Sequence, residues 1–267
     1  MTHIADFDNS VEDVLKLRLL GTYEMSFGSG CLSDFGSRKA QALLFYLAMT
    51  SRSSSRDTIV ALLWPEMTEK AAKNNLRSTL TTLKRHIGPY LDVTRGGVTF
   101  NRRLPLLFDV ERLRIGLQTT ISAKNVREIW STLELYQGEL LQGFQIRSAG
   151  PFEEWMLPQR EQLRSQTLRA LEMLTEVCIE QSEYSIGLAA SHKQLALEPW
   201  SETAYRQLMR LLLATGQRAL ALRQFEICCQ TLAKGLGVEP MAETVELYQY
   251  VKVGAIGSSP SWSAGMN

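Results

Sequence analysis

Between Lys70 and Ile87 the chain reads KAAKNNLRSTLTTLKRHI, a stretch with five lysines and arginines and no carboxylate. Wound at about 3.6 residues per turn, it places Ala72, Leu76, Leu80, Leu83 and Ile87 on one face. Asn74, Ser78, Thr81 and Arg85 fall on the opposite face, with Arg77 beside them and Lys73 and Lys84 on the flank. Amide, hydroxyl and guanidinium groups in one row are the donors and acceptors that base edges and phosphates require. An ordinary solvated helix mixes in Glu or Asp four residues from its cations. The absence of acids here favours a helix that faces nucleic acid.

The surrounding charge points the same way. Ser37 to Arg103 holds twelve cationic residues against four carboxylates, a net +8, whereas residues 1–36 carry −4 and residues 104–267 carry −3. The total of +1 conceals this contrast. On charge alone, a polyanion-binding surface and a solvated charged surface stand about equal. Lys39, early in a preceding helix, and Arg95, in a glycine-rich turn, add two further candidate phosphate contacts.

Other chemistries find little support. Cys31, Cys178, Cys228 and Cys229 form no C-x-x-C pair, and three histidines are few for a metal site. The vicinal Cys228 and Cys229 lie in an apolar helical register where cysteine behaves as a small hydrophobe. No G-x-S-x-G, H-E-x-x-H or G-x-x-x-x-G-K-[ST] occurs, and His3, His86 and His192 have no catalytic setting. The chain is therefore read as a non-enzyme without cofactor or metal.

The elements that must position the cationic helix follow from local signals. Leu15 to Met25 alternates apolar and polar residues as a half-buried strand does, and FGSGCLSDFG reads as a turn with a short strand. A helix begins behind Ser37 as N-cap, and a second carries Ile59, Val60, Leu62 and Leu63 and stops at Trp64-Pro65. The third spans Glu69 to Ile87 and ends at Gly88-Pro89. YLDVTRGGVTFN then forms two short strands across Arg95-Gly96-Gly97. Strands, three helices and a hairpin in this order make an α+β winged helix-turn-helix over residues 15–104, with Arg95 in the wing.

From Leu106 the pattern is helical almost throughout, so the fold class is mainly α. FDVERLRIGL and AKNVREIWSTLELY each give a helix, and a longer one follows Pro158. Ser182 and Gly216 stand 34 residues apart, and the segments after them both leave through Glu-Pro, at Glu198-Pro199 and Glu239-Pro240. That is the tetratricopeptide (TPR) period, imperfect through an insertion near LAKGLGV, and it predicts an all-α TPR-like domain over 105–253. Leu195, Leu197, Leu208, Leu212, Leu220 and Leu222 are its expected core. Residues 1–14 read as a flexible tail and 254–267 as a disordered Gly/Ser-rich one. Neither a membrane span nor a secretory leader is legible, which places the protein in the cytoplasm.

The two halves together resemble the SARP-type regulators, in which a response-regulator-like winged helix precedes a bacterial transcriptional activator domain of TPR-like helices. LRLLGTYEM, SRKAQALLFYLA, IVALLWP, AAKNNLRSTLTTLKRHIG, YLDVTRGGVTF, LLFDVERL and LALEPWSETAYRQLMRLLLATGQRALALRQFEICCQTLAKGLGVEP carry the resemblance, over about Leu15 to Val251. It implies a transcriptional activator whose third helix enters the major groove of promoter DNA, so Asn74, Arg77, Ser78, Thr81 and Arg85 become groove-facing. It also implies that Pro65 to Thr68 lies near RNA polymerase, and that two protomers bind tandem repeats as a homodimer. The alternative is a TPR-like protein-binding scaffold or signalling adaptor without DNA binding. On the first reading, DNA binding maps to Ser37–Arg103 and survives in a fragment ending near Leu104. The helical domain, lacking a basic excess, supplies protein contacts rather than phosphate contacts.

Overall fold

A computed structural model describes residues 14–253 apart from 29, 32–35 and 51. Of the expected tails, 1–14 and 254–267, all but Val14 lie outside the described residues. The chain divides into two compact units, one of residues 1–115 and 135–164, the other of 116–134 and 165–267. The sequence expectation set its boundary at 104/105.

In the first unit, β1 (Leu15–Arg18) buries Leu15 and Leu17 and exposes Lys16 and Arg18. The expected single strand over Leu15–Met25 is in fact two, because Gly21, at φ 102°, turns the chain. That positive φ disfavours a side chain, and a Cβ there would also sit tightly, 3.3 Å from the backbone of Gln137 and Gly138. β2 (Glu24–Phe27) returns antiparallel to β1, Leu17 opposite Met25, and β3 (Gly30–Cys31) pairs with β2. β6 (Leu106–Phe108), a stretch expected to be helical, instead adds parallel to β1 with Leu17 opposite Phe108, completing the order β3-β2-β1-β6. Three residues are too few for periodicity to separate strand from helix.

Three helices follow the hairpin. α1 (Arg38–Met49) starts where the Ser37 hydroxyl accepts from the Ala40 amide at 3.3 Å, and α2 (Arg56–Leu63) where Ser55 does the same for Thr58 at 3.0 Å. α3 (Glu69–Ile87) buries Ala72, Leu76, Leu80, Leu83 and Ile87 as the wheel requires. β4 (Leu91–Val93) and β5 (Val98–Phe100) form the wing hairpin. Ser54 and Val98 exchange backbone hydrogen bonds of 2.9 Å each way, fastening the wing to the loop before α2. The neighbouring Gly97 allows that approach, because a Cβ would stand 2.5 Å from the Ser54 carbonyl oxygen.

What brings 135–164 into this unit is backbone pairing and an aromatic core. Gly21 N–H donates to the Glu139 carbonyl at 2.9 Å, and Leu141 N–H to the Leu19 carbonyl at 2.7 Å. The amides of Leu19 and Leu20 both donate to Asp109 Oδ2, at 2.8 and 2.9 Å. Phe144 then meets Tyr23 and Phe45 edge-on, each with ring centroids 5.2 Å apart, and continues through Phe152 to Trp155. The contacts that Glu139, Leu141 and Phe144 make with Leu19, Gly21, Tyr23 and Phe45 join residues far apart in sequence, so no local signal announces them.

α4 (Asp109–Leu117) begins in the first unit, and α6 (Gly150–Glu180) belongs to it through Arg164. α6 corrects a further expectation, for it contains Pro158 rather than starting after it. Pro158 and Glu154 are both exposed, so water can reach the carbonyl that proline leaves without its donor.

The second unit contains α5 (Val126–Leu133), the remainder of α6, α7 (Tyr184–Leu197), α8 (Glu202–Ala214), α9 (Arg218–Gly235) and α10 (Ala242–Val253). α7 packs on α8 and α8 on α9, as stacked helical hairpins do. Leu208, Met209, Leu212, Ala221, Leu247 and Val251 form a core, against which Leu195 and Leu222 are half-buried. Leu197 is also half-buried, but Leu220 is 44% exposed, one position off the buried stripe that Ala221 occupies. Cys178 and Cys228 are buried in this unit, and desolvation pushes their thiols up to about 11 and about 12. At neutral pH both remain protonated and poorly nucleophilic.

Candidate nucleic-acid interface

The outward row of α3 is exposed along Asn74, Arg77, Ser78, Thr81 and Arg85. Thr68 precedes the helix, and Lys84 and Arg85 lie in its last turn, where cations oppose the negative end of the helix dipole. Thr81 donates its hydroxyl to the Arg77 carbonyl at 2.9 Å and Thr82 to that of Ser78 at 3.2 Å. With that proton committed, Thr81 offers a ligand its oxygen lone pairs and its methyl, suited to a base amino group or a thymine methyl.

The cations do not form one patch. On one side of α3, Arg56, Lys73, Arg77, Lys84 and Arg95 line a cleft of about 690 Å³ between α3, the start of α2 and the wing turn. Lys73 bonds to Glu69 and lies 3.5 Å from Asp57, and the Glu69 hydrogen bond, before any other cause, raises its pKa. Arg77, Lys84 and Arg95 form no salt bridge among the described residues. Arg56, which the sequence reading passed over, donates to the Thr94 carbonyl at 3.3 Å and so links α2 to the wing. Its place within the +8 block was the available signal.

Ser78 and Lys39 belong to the other side, where a second cleft of about 870 Å³ opens beside α1. The Lys39 ammonium sits 5.6 Å from the centre of the Trp64 ring. Partial burial lowers its pKa, opposed by Glu66. Asn74 and Arg85 line neither cleft and stand on the crest between them. The structure thus divides the nine candidates, with Lys73, Arg77, Thr81, Lys84 and Arg95 on one flank, Ser78 and Lys39 on the other, and two on the crest.

The loop from Pro65 to Thr68 is exposed throughout, with Met67 at 47%, and the Asn75 amide meets the Met67 sulfur at 3.0 Å. Among the described residues no cluster of His, Cys, Asp or Glu could hold a metal, and no helix is long and apolar enough to cross a membrane.

Comparison with known proteins identifies the fold and the family. No match was found among curated proteins. Among solved structures, Mycobacterium tuberculosis EmbR in complex with a low-affinity phosphopeptide is similar in fold, with a TM-score of 0.65 at 18% identity. The alignment covers 91% of this chain and 66% of that one, so this chain spans a little under two thirds of EmbR. The family model for the bacterial transcriptional activator domain matches residues 114–252, just over half of the chain. A winged helix-turn-helix in one unit, stacked helical hairpins in the other and that match together mean that the chain belongs to the bacterial transcriptional activator domain family, as a SARP-type transcriptional regulator.

Proposed function

We propose that this regulator is a sequence-specific DNA-binding activator, acting in the cytoplasm on double-stranded promoter DNA through α3 and the wing. One observation carries the reading. The acid-free outward row of α3 adjoins a cleft where Arg77, Lys84 and Arg95 converge without carboxylate partners among the described residues. Asn74, Arg77, Ser78, Thr81 and Arg85 read base edges, while Lys84, Arg95 and Lys39 hold phosphates. Lys73, shared with Glu69 and Asp57, exchanges those partners for a phosphate when DNA binds. The Pro65–Thr68 loop touches RNA polymerase, and two protomers occupy tandem sites about one helical turn apart.

Selection of bound duplexes from random DNA by the full chain tests the reading. A recovered repeat whose binding weakens steeply with salt is the expected result. Failure to bind any duplex at low salt overturns it and leaves a protein-binding scaffold.

A further inference from the structure

The larger of the two clefts beside α3 contains more than the sequence assigned to it. Arg38 and Lys39 enter it from α1, Ser78 from the outward row of α3, and Gln145 and Arg147 from the segment after Phe144. Glu153 also lines it. The Arg38 guanidinium carbon lies 5.7 Å from the centre of the Phe144 ring, much as the Lys39 ammonium lies over Trp64. Aromatic faces hold both charges in place without neutralising them. None of Arg38, Lys39 and Arg147 forms a salt bridge among the described residues, and Arg38 and Arg147 are exposed.

We infer that this cleft is a second phosphate-binding site, and that it takes a backbone phosphate of the bound duplex on the side of α3 away from the wing. The inference rests on the DNA-binding reading above. A helix seated in the major groove has a sugar-phosphate strand on either side, because that groove is only about 12 Å wide. The wing-side cleft serves one strand. Ser78 belongs to both the reading face and the second cleft, so seating α3 brings Arg38 and Arg147 toward the other. Arg147 lies within the residues matched by the activator-domain model, so that domain's sequence contributes a DNA contact despite the −3 charge of residues 104–267. A free phosphorylated ligand offers the same chemistry, and the experiment separates the two sources.

The full chain is titrated with its selected duplex over a range of salt, alongside Arg147→Ala, Arg147→Lys, Glu153→Gln and Arg77→Ala. Inorganic phosphate and a nucleoside triphosphate are titrated separately without DNA. Arg147→Ala should weaken selected and unrelated duplexes alike, several-fold, and lower the salt slope by about 0.9. Arg147→Lys should keep the slope, and Glu153→Gln should tighten binding. Unchanged far-UV circular dichroism in the Arg147 variants shows that the fold is intact. Wild-type affinity and slope in Arg147→Ala, while Arg77→Ala loses its site, overturns the second phosphate site and leaves the DNA reading standing. Absence of any duplex binding by the wild type overturns both. Binding of the triphosphate that depends on Arg147, with duplex binding indifferent to it, reassigns the cleft to a free ligand and overturns the duplex assignment.

Discussion

The Phe144 ring meets Phe45 of α1 edge-on at 5.2 Å, both fully buried, although 99 positions separate them. A residue from the stretch matched by the activator-domain model therefore completes the core beneath the winged helix. The fragment ending near Leu104, expected from sequence to bind DNA by itself, lacks Phe144, β6 and the Leu19–Leu141 pairing.

Phe144→Ala should accordingly destabilise the first unit by about 3 to 5 kcal/mol, the range for a buried aromatic truncated in a packed core. Urea unfolding followed by tryptophan fluorescence measures this, since Trp155 lies in the same aromatic chain. A fragment of residues 15–104 should bind 8-anilinonaphthalene-1-sulfonate and give no cooperative transition. A cooperative transition at wild-type stability would show that the winged helix needs nothing from 135–164.

Asp109 accepts three backbone amides, from Leu19, Leu20 and Val110. Asp109→Ala leaves those buried amides without acceptor and should cost about 2 to 4 kcal/mol. Burial nevertheless outweighs these bonds and raises the Asp109 pKa. A carboxyl with a raised native pKa binds its proton more tightly when folded. Its contribution is thus fully present below the ordinary carboxylate range and is lost as pH rises through the native value. Asp109→Asn, which keeps an acceptor oxygen, should gain on the wild type across that rise, and unfolding curves at a series of pH values check the sign.

On the proposed DNA-binding function, base reading and phosphate holding should separate by mutation. Arg77→Ala or Arg85→Ala should cost about 1 to 3 kcal/mol on the selected site and relax choice at one base pair. Lys84→Ala or Arg95→Ala should weaken all duplexes alike and lower the salt slope by about one. Equal specificity ratios in all four variants would remove α3 as the reader.

Ser182 and Gly216, one repeat apart, share the left-handed backbone conformation, at φ 60° and 75°. The end of α6 and the end of α8 are thus closed by the same turn, once with the residue suited to it and once without. Ser182→Gly should stabilise the second unit by about 0.5 to 1 kcal/mol, and Gly216→Ala should destabilise it by about 1 kcal/mol. Opposite shifts in thermal midpoint are the readout, and two shifts of one sign would contradict the shared turn.

Much of this protein is legible in its sequence. The α3 face, the Ser37 cap, the stop at Trp64-Pro65 and the wing hairpin rest on interactions between residues near in sequence, so periodicity, capping and turn residues report them, and the 34-residue period shows as a repeat of such local signals. Cys228, in its apolar register, is buried as its neighbours imply. What tertiary structure alone decided involves partners distant in sequence. β6 is a strand because β1 offers it an edge, and residues 135–164 join the winged helix because Leu19 and Gly21 have backbone groups to pair and Phe45 has a ring to cover. For the same reason Arg147 stands beside Arg38 and Ser78, 109 and 69 positions away, in a cleft that no count of local charge could reveal. Net charge sums along the chain, whereas a phosphate responds to the charges that folding brings within a few ångströms of it.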